Sequence, residues 1–116
     1  MESNENEHDT RIQPSPLTNV TGFKRDLLLT VACLSGTKPS GKDIMRKLES
    51  EYGEAVNHGR LYQNLGSLVD TGFVRKLPLD GRTNFYRLTR RASTELRAHY
   101  AWEKQCLQAI DEETVE

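Results

Sequence analysis

The sequence lacks the long apolar runs, cysteine clusters and glycine-rich loops that mark several large classes of protein. No apolar run approaches the roughly 18 residues needed to cross a bilayer, and the N-terminus has neither a basic stretch nor the apolar stretch of a signal peptide. Cys33 and Cys106 are 73 residues apart and the three histidines are scattered, so no metal site is predicted. We therefore expect a cytoplasmic protein that does not span a membrane.

Patterns typical of catalysis are also missing. No histidine lies where it would activate a nucleophile, and no glycine-rich loop would hold a phosphate. We therefore predict no catalytic residue and no cofactor. Cys33 falls in the apolar stripe of the first predicted helix and is expected to be buried, whereas Cys106 is expected to be more accessible. The sequence leaves open whether either thiol responds to oxidants.

The formal net charge of −1 conceals an uneven distribution of charge along the 116 residues. Residues 1–17 carry −3 and residues 109–116 carry −4, while residues 18–108 hold 15 bases and nine acids and therefore carry +6. A basic body between acidic ends indicates an electrostatic partner. Residues 1–17 contain too little apolar surface to fold alone and are predicted to form a flexible arm.

Apolar periodicity predicts the order of elements. Spacings of three and four indicate helices, which start at the N-cap candidates Thr21, Ser40 and Asn57 and cover residues 22–35, 41–51 and 57–71. The period then falls to two over residues 73–77 and 84–88, with a hairpin signal at Asp80-Gly81. Thr89 is expected to cap a last helix that reaches about residue 112.

This order predicts a mainly α fold with a small β-hairpin, which is a winged helix-turn-helix. We assign residues 18–89 to a DNA-binding domain, 90–112 to a C-terminal dimerisation helix and 113–116 to an acidic tail. Only 35% of the residues are apolar, which favours a core shared with a second copy. The last helix carries more apolar positions than one short body can cover.

Candidate DNA contacts follow from the expected docking of the third helix in a major groove. Arginine pairs with guanine and Asn or Gln with adenine, so the predicted base contacts are Asn57, His58, Arg60, Gln63 and Asn64. Small, basic and hydroxyl residues near two helix starts would meet phosphates, and these are Lys38, Ser40, Lys42, Gly59 and Tyr62. The predicted wing residues are Gly81, Arg82, Thr83 and Asn84, next to a minor groove.

A homodimer is the expected assembly. Its predicted interface consists of Phe23, Leu27, Leu96, Tyr100, Trp102, Leu107 and Ile110. Tyr100 and Trp102 have an alternative role, because a cleft between the first helix and the dimerisation helix could bind a small-molecule effector. The chemical nature of such an effector is not predicted.

Two motifs resemble the PadR-type winged-helix transcriptional regulators. Residues 59–74, GRLYQNLGSLVDTGFV, resemble the family signature GxLYxxLxxLxxxGLV, and residues 86–89, YRLT, resemble the YxLT that closes the wing. The resemblance covers about residues 20–108. His58 departs from the proline that is common before the first glycine, and Arg90-Arg91-Ala92 replaces the usual glycine after the second motif.

The resemblance implies a homodimer that binds pseudo-palindromic operators and pairs through its first and last helices. A single long last helix is similar to the short subgroup of the family. The acidic ends and the ten arginines against six lysines resemble haloarchaeal members, including a regulator of the oxidative-stress response. The function predicted is sequence-specific regulation of transcription, with an oxidative-stress role as one expectation. The alternatives are a winged helix used for protein contacts and a ligand-sensing repressor of the same family.

Overall fold

The computed structural model describes residues 20–116 and shows the predicted order of elements. Its helices and strands are α1 (Gly22–Cys33), α2 (Gly41–Tyr52), α3 (His58–Asp70), β1 (Val74–Pro78), β2 (Asn84–Leu88) and α4 (Arg90–Gln108). The mainly α fold with a β-hairpin is therefore confirmed. The predicted acidic arm, residues 1–17, lies outside the described residues, and the predicted domain bounds stay predictions. No helix within residues 20–116 is both long and apolar enough to cross a membrane.

The described chain divides into two compact units. One unit is Asn19–Ser93, and the other includes Thr94–Glu116. The first contains α1, α2, α3, the hairpin and the first turn of α4, so it holds every element of the predicted winged helix. The second contains the remainder of α4.

Three side chains cap the first three helices, as predicted. Thr21 Oγ1 accepts the N–H of Lys24 at 3.2 Å, and Asn57 Oδ1 accepts that of Arg60 at 2.8 Å. Ser40 forms a reciprocal capping box with Asp43, in which each side chain accepts the backbone N–H of the other residue. Each cap satisfies a donor that the helix itself leaves without an acceptor.

Two predicted helix ends and one strand start are shifted. α1 ends at Cys33 rather than 35, since the chain turns through Gly36 at φ 94°. α4 ends at Gln108 rather than near 112, because acidic residues at 111–113 are unfavourable at the negative end of the helix dipole. Asp111 Oδ1 instead accepts the N–H of Glu113 at 3.0 Å, outside the helix. β1 starts at Val74, since the N–H of Phe73 closes α3 onto the Leu68 carbonyl at 2.9 Å.

The core lies where the three helices and the hairpin meet. Its most buried large side chains come from all three helices and β1, and they are Leu27, Leu28, Val31, Ile44, Leu48, Leu61, Leu65, Leu68 and Val74. Phe85 and Tyr86 are both buried although neighbours on a strand point to opposite faces. Tyr86 is covered because the connector before α2 lies along β2. The N–H of Tyr86 donates to the Pro39 carbonyl in this connector at 3.0 Å.

Two predictions about α1 are wrong. Cys33 is exposed rather than buried, since it shares a face with the exposed Leu29 four residues earlier, whereas Leu27 and Val31 lie on the core face. Leu27 has no exposed surface in the single chain and therefore offers none to a second copy. Phe23 is only 9% exposed, so it too belongs chiefly to the core of its own chain.

A polar joint connects the end of α3 to the start of α4. The Thr89 hydroxyl donates to the Gly72 carbonyl at 2.8 Å and accepts the N–H of Ala92 at 3.1 Å, so it caps α4 as predicted. The Arg91 guanidinium donates to the Thr71 carbonyl at 2.6 Å and covers the Phe73 ring at 4.2 Å. Arg91 has no role among the residues predicted from the sequence, but the structure makes it part of this joint.

We predict that Thr89→Val lowers the free energy of unfolding by about 1–2 kcal/mol, because it removes a helix cap and leaves the Gly72 carbonyl without its hydroxyl donor. Urea denaturation followed by circular dichroism measures the change. Thr94→Val, at an exposed threonine of the same helix, is the control and should lie within about 0.5 kcal/mol of the unmodified protein. Equal losses in the two variants would contradict the assigned joint.

Candidate nucleic-acid interface

The start of α2, the exposed side of α3 and the hairpin tip surround one open groove. We call it the α2–wing groove; its volume is about 350 Å³, and it is lined by Ser40, Gly41, Lys42, Tyr62, Arg82, Thr83, Asn84 and Tyr86. Six of these residues are among the predicted backbone and wing contacts. The helix-turn-helix and the wing therefore bring together residues that are more than 20 positions apart in the sequence.

Gly41 permits the close approach of α3 to the start of α2. A Cβ on residue 41 would lie 2.5 Å from the Tyr62 ring carbon Cε1, which is closer than real atoms approach. Tyr62 is half-buried against this backbone, and the His58 ring lies 4.6 Å from it between ring centroids. Tyr62 is a predicted backbone contact, and it lines the α2–wing groove.

The start of α2 is arranged to attract an anion. α-Helical geometry leaves the N–H groups of Gly41 and Lys42 without acceptors in the helix, and the helix dipole adds partial positive charge there. The N–H of Ser40 donates to Asp43, which is the main reason that the pKa of this carboxyl is lowered. Asp43 therefore stays ionised at neutral pH and holds the cap in place.

The predicted base-reading residues on α3 divide into free and engaged side chains. Arg60 and Gln63 are exposed, and so is His58, which lies against Tyr62. Asn57 uses its carbonyl oxygen as the N-cap, and Asn64 donates its amide to the Arg60 carbonyl at 2.8 Å. Within the described residues the side chains of Arg60 and Gln63 make no hydrogen bond, whereas the two amides already have partners within α3.

Arg60 is not extended into solvent. Its guanidinium carbon lies 3.8 Å from the centroid of the Phe23 ring. The Tyr52 ring lies 6.5 Å from that of Phe23, and the Tyr52 hydroxyl donates to Asp26 Oδ2 at 2.6 Å. Burial and this hydrogen bond raise the pKa of Tyr52 to about 12, so it donates at any physiological pH. α1, α2 and α3 thus converge around Arg60.

The wing tip is held by a carboxylate. Asp80 Oδ1 accepts the N–H groups of Arg82 and Thr83, both at 3.0 Å, and these bonds lower the pKa of Asp80. The Thr83 carbonyl accepts the N–H of Leu79 at 2.8 Å. Within residues 20–116 the positive-φ glycines are Gly36, Gly53 and Gly72, so Gly81 does not form the tight turn that the Asp-Gly pair indicates. Five residues, 79–83, connect the strands instead.

Three of the nine predicted backbone and wing contacts lie outside the α2–wing groove. Gly59 lies at the start of α3 and Gly81 at the exposed wing tip. Lys38 Nζ lies 5.6 Å from the Phe85 ring, which Arg87 approaches at 5.5 Å. Lys38 and Arg87 border a separate cavity of about 190 Å³ beside α1 and β2.

The groove contains two exposed cations, Lys42 and Arg82. In the part of the chain that the structure describes, no carboxylate pairs with Lys42 or Arg82. Burial is the first cause that raises the pKa of Tyr86, and the neighbouring Tyr62 is the second, so the Tyr86 hydroxyl stays neutral. Unpaired cations, neutral hydroxyls and helix N–H groups at one place form a suitable surface for phosphate.

Sequence reasoning missed three residues of the site. Gly41 and Tyr86 line the groove, and Phe23 supports Arg60. A signal for Gly41 was available, because glycine directly after an N-cap commonly marks a close approach of another backbone or side chain. No local pattern could pair Phe23 with Arg60, since 37 positions separate them.

Comparisons with known proteins agree with this geometry. The sequence model of the transcriptional regulator PadR-like family matches residues 30–98. A complex of RosR is 38% identical over 83% of both chains with TM-score 0.72, and RosR of H. salinarum crystallised from NaBr is 38% identical over 83% of this chain and 84% of that chain with TM-score 0.71. The predicted resemblance to the family and to a haloarchaeal regulator is confirmed.

A more distant structure carries DNA. PadR of Bacillus subtilis in complex with operator DNA is 26% identical, covers 67% of this chain and 47% of that chain, and has TM-score 0.54. Comparison with curated proteins found no match.

We predict that Gly41→Ala lowers the free energy of unfolding by about 1–3 kcal/mol, because the new methyl group overlaps the Tyr62 ring. It should also shift the Tyr62 ring resonances in NMR spectra. Gly66→Ala is the matched control, since a Cβ at this α3 position meets nothing within 4 Å and should stabilise the helix by about 0.5–1 kcal/mol. A stabilising Gly41→Ala would show that no close approach is needed.

Proposed function

Because the chain belongs to the transcriptional regulator PadR-like family, we propose that it is a homodimeric regulator that binds double-stranded DNA sequence-specifically. The observation that carries the proposal is the α2–wing groove, where the start of α2, Tyr62 and the wing residues 82–84 converge. The operator DNA bound by B. subtilis PadR supports the same class of partner. Members of this family regulate transcription rather than catalyse reactions.

The three parts of the interface have separate roles in this proposal. α3 enters a major groove, where Arg60 and Gln63 contact base edges. Lys42, Tyr62 and the N–H groups at the start of α2 hold a phosphate and set the register of α3. Arg82 at the wing tip reaches the neighbouring minor groove.

Exposed apolar residues of α4 support the proposed dimer. Trp102, which is 54% exposed, lies two residues from Tyr100 and so on another side of the helix, whereas Tyr100 and Leu107, which are 63% and 66% exposed, are seven residues apart and share one face. A second copy that covers them would form a helical interface. Ile110, also in the predicted interface, lies beyond the end of α4, and Leu96 is half-buried. A two-fold dimer places its half-sites about 34–36 Å apart along DNA.

The similarity to RosR supports a place in an oxidative-stress response. Cys33 and Cys106 are both exposed, so either thiol is accessible to peroxide. The proposal does not require that the protein senses the oxidant directly, since an upstream sensor gives the same regulation.

The deciding experiment is enrichment of duplexes from a random-sequence library, followed by competition gel shifts across a salt series, with and without peroxide. A pseudo-palindromic duplex preferred over random DNA by about a thousandfold or more supports the proposal. Binding that falls with salt but shows no sequence preference would refute it, and no binding to DNA would favour a protein-contact module. If peroxide changes DNA binding and Cys33→Ser or Cys106→Ser abolishes that change, the protein senses the oxidant directly. If peroxide leaves DNA binding unchanged, the oxidant is sensed by another protein upstream.

We predict that Arg60→Ala weakens binding to the enriched duplex by about 1–3 kcal/mol and relaxes the preference at one base pair. Fluorescence anisotropy with single-base variants of the duplex measures both effects. Arg75→Ala removes the same charge from the exposed side of β1 and should weaken enriched and random duplexes equally. If Arg60→Ala also acted equally on both duplexes, Arg60 would contact phosphate rather than a base.

We predict that Leu107→Glu converts the dimer to a monomer, because it places a charge in the proposed apolar interface. Sedimentation equilibrium reports the mass. Gln108→Glu introduces the same charge at the neighbouring exposed position and should leave the dimer intact. A Leu107→Glu protein that keeps the mass of the unmodified one would place the interface elsewhere.

A further inference from the structure

We propose that Phe23 is a positioning residue for DNA reading, because the Arg60 guanidinium carbon lies 3.8 Å from the centroid of its ring and the edge donors are left free. The inference rests on the proposed function and deepens it. It assigns part of the base specificity to a residue of α1 that contacts no base. Phe23 entered the sequence analysis only as a predicted dimer contact.

The contact between Phe23 and Arg60 is the tightest of its kind in residues 20–116. The guanidinium carbon lies 3.8 Å from the ring centroid, against 4.2 Å for Arg91 over Phe73 and about 5.5 Å for the two cations near Phe85. Phe23 is 9% exposed, while Arg60 is an exposed residue. The guanidinium therefore lies against a ring that is otherwise packed in the core.

The position of the ring is itself determined by neighbouring helices. Phe23 lies in the first turn of α1, whose start is capped by Thr21. The Tyr52 ring of α2 packs at 54° to the Phe23 ring, and the Tyr52 hydroxyl is bound to Asp26 one turn later on α1. A ring confined in this way cannot follow the flexible arginine, so it restricts the arginine instead.

The arrangement leaves the donors of Arg60 available. A guanidinium stacked on an aromatic face keeps its five N–H groups around its edge, which is the geometry of a bidentate contact with guanine. Within the described residues no carboxylate or carbonyl accepts a hydrogen bond from the Arg60 side chain. Asp26 is the nearby acid of this cluster, and its Oδ2 accepts the Tyr52 hydroxyl at 2.6 Å.

A positioned arginine binds its target better than a mobile one. A free arginine side chain loses considerable rotamer entropy when it is held in a bidentate contact, and prior restriction removes part of this loss. The gain applies only where the contact to a base is formed, so it should raise affinity for the preferred sequence and not for random DNA.

The test is a double-mutant cycle on the full chain, with the duplex enriched from the random library by the unmodified protein. Phe23→Leu, which removes the ring and keeps an apolar side chain, should weaken binding to the enriched duplex about three- to tenfold and leave binding to a random duplex unchanged. In an Arg60→Ala background the same substitution should have no further effect. Phe23→Tyr keeps the ring and should bind like the unmodified protein.

Val31→Ala controls for loss of core packing on the same helix. It should lower stability without changing the ratio of affinities for enriched and random duplexes. An unchanged affinity of Phe23→Leu, or an equal loss with and without Arg60, would overturn the inference. Measurements at temperatures where each variant is folded by circular dichroism keep the comparison valid.

An NMR measurement on the protein without DNA separates this inference from the proposed function. The Arg60 Nε–H resonance should be shifted upfield by the Phe23 ring and should return to the position of exposed arginines in Phe23→Leu. If the unmodified protein enriches no sequence, the proposed function fails. If the resonance does not move in Phe23→Leu, the positioning role fails whatever the DNA result.

Discussion

The packing of the Tyr62 ring over the backbone of Gly41 is the contact on which the functional surface depends. Because residue 41 has no Cβ, α3 approaches the first turn of α2 closely enough for its leucine face to remain in the core. The opposite face of α3 then lies beside the α2 start. A larger residue would separate the two helices and change the shape of the α2–wing groove.

The hairpin extends this arrangement to the wing. The backbone hydrogen bond from Tyr86 to Pro39 joins β2 to the connector that leads into α2. Thr89 and Arg91 join the far end of the hairpin to α3 through the carbonyls of Gly72 and Thr71. The wing is thus held by main-chain carbonyls along β2 and at the end of the hairpin away from its tip, and these neutral acceptors are less sensitive to salt than surface ion pairs.

Charge in the groove is more mixed than the basic body suggests. Asp43 and Asp80 lie in the turns that build the groove, and both accept main-chain N–H bonds that lower their pKa values. They stay ionised next to Lys42 and Arg82. A phosphate can therefore bind only where the cations and helix N–H groups point, and this restriction makes the geometry of the surface matter as much as its net charge.

Prediction from the sequence succeeded where the signal is local. The caps at Thr21, Ser40 and Asn57 depend on a few neighbouring residues, and each was identified correctly. It failed where a partner is remote or where two local signals compete. The exposure of Cys33 depends on which face of α1 meets the other helices. The tight turn predicted at Asp80-Gly81 is not formed, because Asp80 makes hydrogen bonds that stabilise a longer turn.

The amino-acid sequence alone determined the order of elements, the family signature and the placement of basic residues. Helical period, capping and charge each depend on short stretches of residues. The tertiary structure alone decided which predicted contacts share one groove, that Asn57 and Asn64 are engaged within α3, and that Arg60 lies on Phe23. These outcomes depend on packing between segments far apart in the sequence. Such packing depends on how all the core side chains fit together, so it cannot be predicted from a local sequence pattern.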